Sequence, residues 1–188
     1  MDIGVQQAEF HILCSLEIDK NCCKTLRTNI SREHRDTIVY EGDIRSFDPK
    51  KIMNTLGRSA GEIDLLFGGP PCQAFSQIGK QHSLLDERGL LLFQMIRYAE
   101  AIQPKAIMIE QVKGLLSAKD LSGTRGGVFA QFINELEKLD YVSKWRVMLA
   151  ADYGVPQLRE RIYIVATKKN GFQFPFPSHS SSSDNLLF

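Results

Sequence analysis

The chain contains no apolar run near the eighteen or so residues that a membrane-crossing helix requires, so its sequence offers no transmembrane helix. Its four cysteines, Cys14, Cys22, Cys23 and Cys72, form no Cys-x-x-Cys pair, and adjacent Cys22 and Cys23 are poorly placed to ligate one metal together. A zinc site and a disulfide framework are both set aside, and no metal is expected. No internal repeat is visible. The first residues do not form a basic, apolar leader, because Asp2 and Glu9 already fall within Met1 to Glu9. That points to a cytoplasmic protein, or a nuclear one in a eukaryotic source. Charge of one sign is also lacking. With 23 basic and 22 acidic residues the net charge is +1, so contact with nucleic acid has to come from local patches or from another segment or chain.

What is present fits one globular α/β domain. The 188 residues are 43% hydrophobic, enough for a real core. Short aliphatic or β-branched runs alternate with longer helical patterns, the mark of a mainly parallel sheet. Strands are expected at His11 to Leu16, Thr37 to Tyr40, Ile63 to Phe67, Ala106 to Ile109, Trp145 to Ala150 and Ile162 to Ala166. Leu92, Met95, Ile96, Ala99 and Ile102 recur at three and four residues, as do Phe129, Phe132, Ile133, Leu136 and Leu139, and each stripe predicts a buried helix face. Trp145 is expected in the core, with Cys14, Cys22 and Cys23 as small buried hydrophobes. Pro104 and Asp140 stop the two helices. The serine-rich stretch from Ser178 reads as a flexible tail, giving a catalytic domain over 1–177 and a tail over 178–188.

Chemistry concentrates where strands end. Gly68-Gly69-Pro70-Pro71-Cys72 places a thiol directly after an apolar strand, with glycines permitting close approach and prolines stiffening the turn. Reacting groups gather beyond the carboxyl ends of parallel strands, and Cys72 sits at such an end. Taken alone, that thiol would suit a hydrolase or a redox enzyme equally well. Glu17 and Asp19 follow the first strand and Asp43 follows the second, on the same sheet edge. A carboxylate there can grip a ribose diol, or Glu17 and Asp19 can simply cap a helix. Glu110 ends the strand Ala106 to Ile109, one strand on from Cys72, and a thiol with a carboxylate supports a nucleophile and an acid on one substrate. Gln157, Arg159 and Arg161 point to one side if their backbone is extended. They form an anion-binding face, or a solvated edge with Glu160 as counter-charge.

In order and spacing these pieces resemble the cytosine-C5 DNA methyltransferases. Gly69-Pro70-Pro71-Cys72-Gln73-Ala74-Phe75-Ser76 is similar to the family's Pro-Cys motif, and Glu110-Gln111-Val112 to its Glu-Asn-Val motif. Gln157-Leu158-Arg159-Glu160-Arg161 is similar to Gln-x-Arg-x-Arg. Glu17-Ile18-Asp19 and Gly42-Asp43-Ile44 resemble the two upstream cofactor motifs, and Asp86 to Leu91 the Arg-Gly-Leu stretch after the mobile loop. The likeness covers nearly all of residues 1 to 177.

The resemblance implies an α/β, doubly wound, mostly parallel sheet of the S-adenosylmethionine-dependent (Rossmann-like) type, with its first central strand missing. It implies methyl transfer from S-adenosylmethionine, leaving S-adenosylhomocysteine, to carbon 5 of a cytosine flipped out of double-stranded DNA. Cys72 would be the nucleophile, Glu110 would hold the ring, and Arg159 and Arg161 would activate the thiol and anchor the base or Glu110. Glu17 would hold the ribose, and Ile18, Asp43 and Ile44 the adenine, with Pro71 and Leu91 lining the cofactor side. Gln73, Ser76, Lys80, Arg88 and Gln157 would meet substrate, most of them from a lid over 73 to 89.

Departures from the pattern carry their own expectations. No Phe-x-Gly-x-Gly turn precedes the helix at Met1, no recognition region follows Pro177, and Gln111 stands where asparagine is usual. The sheet is therefore expected to have a gap at its centre and to need a complementing segment, chain or methyltransferase half. The rival readings are an inactive DNA- or cofactor-binding remnant and a transfer RNA cytosine methyltransferase. The second lacks its Cys-Phe-Thr signature here.

Overall fold

Asp19 starts the first long helix by accepting the backbone N–H groups of Asn21 and Cys22, which satisfies two donors that a helix start leaves open. The computed structural model describes residues 1–33, 35–71, 90–169 and 171–179, which fall into two units, Met1–Ser59 and Ala60–Phe188.

The first unit runs α1 (Asp2–Gln7), β1 (Cys14–Glu17), α2 (Lys20–Arg32), β2 (Ile38–Glu41), a 3-10 turn (Ile44–Ser46) and α3 (Pro49–Thr55). β1 and β2 pair in parallel, Cys14 opposite Ile38 and Glu17 opposite Glu41, so the chain must cross back through α2 between them. That helix turns Cys23 and Ile30 inward. The crossover is tied by Thr37 Oγ1, buried and donating to the Ile12 carbonyl at 2.6 Å, and by Arg27, 2.7 Å from Glu41. Asp48 caps α3 with Pro49 in its first turn, where a missing N–H costs nothing.

The second unit runs β3 (Leu65–Gly68), α4 (Leu90–Ile102), β4 (Ala106–Gln111), α5 (Gly127–Lys138), β5 (Val142–Leu149) and β6 (Glu160–Thr167). The sheet order is β3-β4-β6-β5; β3 and β4 are parallel, and β6 runs against both of its neighbours. Alternation along β4 buries Ile107, Ile109 and Gln111 on one face and leaves Ala106, Met108 and Glu110 on the other. Ile162, Ile164 and Ala166 of β6 share the buried face, against Leu92, Met95 and Ala99 of α4 and Val128, Phe132 and Leu136 of α5. These are the stripes read from the sequence. Tyr141 completes that core, its hydroxyl donating to the Pro104 carbonyl at 2.6 Å.

The α/β class and a mostly parallel sheet hold, with β6 the reversed strand. The described strands form two sheets rather than one, β1-β2 and β3-β4-β6-β5. β1, β2, β3 and β5 each have one edge without a ladder partner among the described residues. Two placements differ from expectation. Trp145 is 47% exposed on the edge strand β5, where its ring meets Phe129 edge-on at 5.3 Å instead of entering the core. Of the described cysteines only Cys23 is fully buried; Cys22 is exposed because it lies on the outer side of α2. Among the described residues no helix is long and apolar enough to cross a membrane.

Candidate active site

The reversal of β6 is what assembles the polar end of the second unit. β4 ends at Glu110 and Gln111 just where β6 begins, so residues 49 apart in sequence meet without a crossover. Glu110 Oε1 lies 3.1 Å from Arg161 Nε and 3.4 Å from Arg159 Nη2. Both guanidiniums converge on the same oxygen, and Oε2 has no protein partner among the described residues. The Glu110 side chain keeps 21% of its exposure, so it is enclosed yet reachable. The start of β6 is held by Lys113, 3.1 Å from Glu160, which acts as counter-charge to a lysine rather than to the two arginines.

Tyr163 stands directly across the ladder from Glu110, and Arg146 directly across from Tyr163. Burial first, and the Glu110 charge second, raise the Tyr163 phenol above its usual range, while Arg159 and Arg161 pull the other way. The phenol stays neutral beside the carboxylate. Sequence reasoning missed it, although Arg159, Arg161 and Tyr163 alternate as one face of a strand would. Gln157 lies in the bends before β6 begins, where the backbone is not yet extended, and no bond joins its side chain to Glu110.

One strand over, β3 delivers the Gly69-Pro70-Pro71 turn. A Cβ on Gly68 would press to 3.2 Å from Met95 Sδ, so glycine lets β3 lie close on α4. The Pro70 carbonyl accepts from Gln111 Nε2, which links this turn to the end of β4. Pro71 is exposed and Leu91 half-buried in the first turn of α4. Cys72, Gln73, Ser76, Lys80 and Arg88, with the rest of the expected lid, lie outside the described residues.

The first unit carries its own polar edge. Glu17 Oε1 accepts the Asp19 N–H at 2.8 Å, and Ile18 between them is 65% exposed, unusual for isoleucine. Asp43 caps the following turn through the Arg45 N–H, and its carboxylate is gripped by the Arg45 guanidinium at 2.6 to 3.0 Å. Hydrogen bonds from Arg45 hold Asp43 below the usual carboxylate range. Nothing in the sequence singled out Arg45. The described thiols are protonated at neutral pH: burial pushes Cys14 up to about 11, and Cys22 is raised chiefly by its bond to Asp19. Among the described residues no three His, Cys, Asp or Glu side chains gather as a metal site would require.

Comparison with known proteins puts these features in company. The profile of the C-5 cytosine-specific DNA methylases matches residues 1–186. The Type II methyltransferase M.AquIA of Picosynechococcus is 37% identical over 97% of this chain and 74% of its own length. The Type II methyltransferase M.NgoMIV of Neisseria gonorrhoeae is 41% identical over 94% of this chain, which spans about half (52%) of that protein. Among solved structures, a prophage-encoded E. coli protein provisionally assigned as a DNA modification methyltransferase superposes with a TM-score of 0.70 at 25% identity, over 88% of this chain and 42% of that one. The S. pombe Dnmt2 methyltransferase shares the fold at a TM-score of 0.65 and 15% identity, over 100% of this chain and 53% of that one.

Proposed function

We propose, from the premise that this chain belongs to the C-5 cytosine-specific DNA methylase family, that it carries the catalytic part of an enzyme methylating carbon 5 of a flipped-out cytosine in double-stranded DNA. The observation that carries the reading is the end of β4: a carboxylate held by two guanidiniums through one oxygen, with the other oxygen open, beside the turn that leads to Cys72.

Carbon 5 of cytosine is a poor nucleophile, and the residues answer that difficulty in turn. The Cys72 thiolate adds to carbon 6, which places electron density on carbon 5 and splits one hard step into two. Glu110, fixed through Oε1, presents Oε2 to the base edge, where it accepts from the exocyclic amine and shares a proton with N3, so that the protonated ring can take up the electrons of the thiolate. Arg159 and Arg161 fix that carboxylate and bring positive charge to the site, which favours a thiolate. Once carbon 5 carries the methyl group its proton passes to solvent water, the C–H electrons restore the 5,6 double bond, and the Cys72 thiolate leaves carbon 6 with the electrons of the C–S bond. Reaching the base requires flipping, at a cost of a few kcal/mol that contacts in the pocket offset.

S-adenosylmethionine, when bound, supplies an electrophilic methyl group. The first unit fits it in part. Glu17 has Oε2 available for a ribose diol, and exposed Ile18 offers an apolar face for an adenine ring. Asp43 and Ile44 would take the adenine edge, but Asp43 can do so only when Arg45 yields a lone pair.

A complementing strand belongs to the same proposal. Each of the two sheets has free edges among the described residues, unpaired backbone groups of the kind that proteins normally cover, and a strand added to either sheet from another segment or chain would satisfy them. The test is trapping. Incubating the chain with S-adenosylmethionine and duplex DNA containing 5-fluorocytosine, alone and with a candidate complementing half, should give a covalent adduct that Cys72→Ala abolishes. No adduct under either condition would favour a binding remnant and overturn the catalytic reading.

A further inference from the structure

Gln111 is 2% exposed, one of the few polar side chains in the described core, and it ends the buried stripe that begins with Ile107 and Ile109. A buried primary amide is costly unless both of its ends are met. Here both are. Its Oε1 accepts the Val112 N–H at 3.2 Å, and its Nε2 donates to the Pro70 carbonyl 41 residues away. One bond holds the backbone as it leaves β4 beside Glu110. The other reaches across to the turn that leaves β3. β3 and β4 pair only as far as Gly68 and Ile109, so beyond that point no ladder hydrogen bond fixes their spacing.

We propose that Gln111 is a positioning residue: its side-chain amide continues the pairing of β3 and β4 past the last ladder rung and holds the Pro70-Pro71 turn that precedes Cys72 in the sequence. The proposal rests on the reading of Cys72 as the nucleophile. It assigns Gln111 no contact with substrate. Pro70 and Pro71 lack N–H groups, so the turn can offer β4 only its carbonyls, and the Gln111 amide meets the one at Pro70. The reach of glutamine matters for the same reason. Asparagine is shorter by one methylene, about 1.5 Å, which draws the amide out of ordinary N–H···O range of Pro70. Restoring the residue usual in the resembling family should therefore loosen this site.

The experiment compares the full chain with Gln111→Asn and with Gln111→Met, which keeps the length without a donor. Amide hydrogen exchange by mass spectrometry is read on a peptide spanning Leu66 to Gln73, with peptides from α4, α5 and β6 as internal references. Both variants should exchange about ten-fold faster at Gly68, Gly69 and Cys72, the loss expected for one hydrogen bond, with the reference peptides unchanged. Iodoacetamide modification of Cys72 should change in rate relative to exposed Cys22 in the same samples. Unchanged exchange at 68–72, or an equal rise in every peptide, would overturn the proposal, the second because it marks a general structural role. A local change without any 5-fluorocytosine adduct in the parent chain, either alone or with the complementing half, would instead sink the nucleophile reading and leave the brace standing.

Discussion

Arg161 Nε sits 3.1 Å from Glu110 Oε1, and Arg159 reaches the same oxygen at 3.4 Å, so one carboxylate oxygen is fixed twice while its neighbour stays open. A carboxylate held this way can meet a ligand without swinging. The antiparallel entry of β6 beside the exit of β4 creates the arrangement, and the two guanidiniums are not equally enclosed. Arg161 is 25% exposed and Arg159 47%.

That inequality sets the first prediction. Arg161→Ala should slow covalent adduct formation about ten-fold, because losing one partner of a partly enclosed ion pair costs more than the roughly 1 kcal/mol ceiling of exposed pairs. Arg159→Ala should slow it about two-fold, in the range of exposed ion pairs. Single-turnover trapping on 5-fluorocytosine DNA measures both. Equal losses would mean that the arginines do not act through Glu110 in the manner described.

Arg45 competes for Asp43 with whatever the carboxylate is meant to hold. Arg45→Ala should tighten binding of S-adenosylmethionine about two- to three-fold, the modest effect expected from releasing an exposed pair. The gain should shrink at high salt, where screening weakens the pair in the parent protein too. Calorimetric titration at two ionic strengths decides it, and weaker binding in the variant would show that Arg45 supports the site.

Acid stability should depend on three capping aspartates. Asp19 is lowered chiefly by the backbone N–H of Cys22, Asp43 by Arg45, and Asp120 by the Ser122 hydroxyl. A carboxylate with a depressed folded-state pKa contributes stability that is present above its unfolded value, about 3.9, and is lost as pH falls through the folded one. Thermal midpoints should therefore hold down to about pH 4 from these groups and drop below it. In Asp120→Asn that drop should be shallower, and an unchanged profile would remove Asp120 from the account.

Gly127 tests the packing of the loop after Glu110. A Cβ there would overlap the Asp120 carboxylate, which cannot retreat freely while it accepts from Ser122 and Thr124. Gly127→Ala should destabilise the protein by about 1–3 kcal/mol in urea unfolding, the usual cost of overpacking. A gain in stability, as expected for alanine in an unstrained helix, would mean that the Asp120 knot is loose.

Much of the fold was readable because it rests on short-range pattern. The stripes at Leu92 to Ile102 and Phe129 to Leu139 became α4 and α5, and every expected strand is present within a few residues of its expected bounds. The misplacements share a cause. Hydrophobicity put Trp145 and Cys22 inside, but an edge strand and an outward helix face leave them open, and neither is decided by the residue itself. At the candidate site, Glu110 was legible from its place at a strand end, Arg159 and Arg161 from their alternation, and all three from the motifs. Tyr163, Arg45 and the reach of Gln111 were not legible, because each takes its role from a neighbour distant in space or from a local turn geometry.

The sequence by itself determined which groups are available and where along each strand they fall: a thiol after two prolines, acids at strand ends, arginines in alternation. These follow from residue chemistry and from periods of two and 3.6, which need no partner. Only the tertiary structure decided what those groups do to one another. The reversal of β6 put two guanidiniums on one oxygen of Glu110, the end of the β3–β4 ladder left Gln111 to hold Pro70, and the strands divided into two sheets. Register and strand direction are set by burial summed over a whole sheet, and no local run of residues contains that sum.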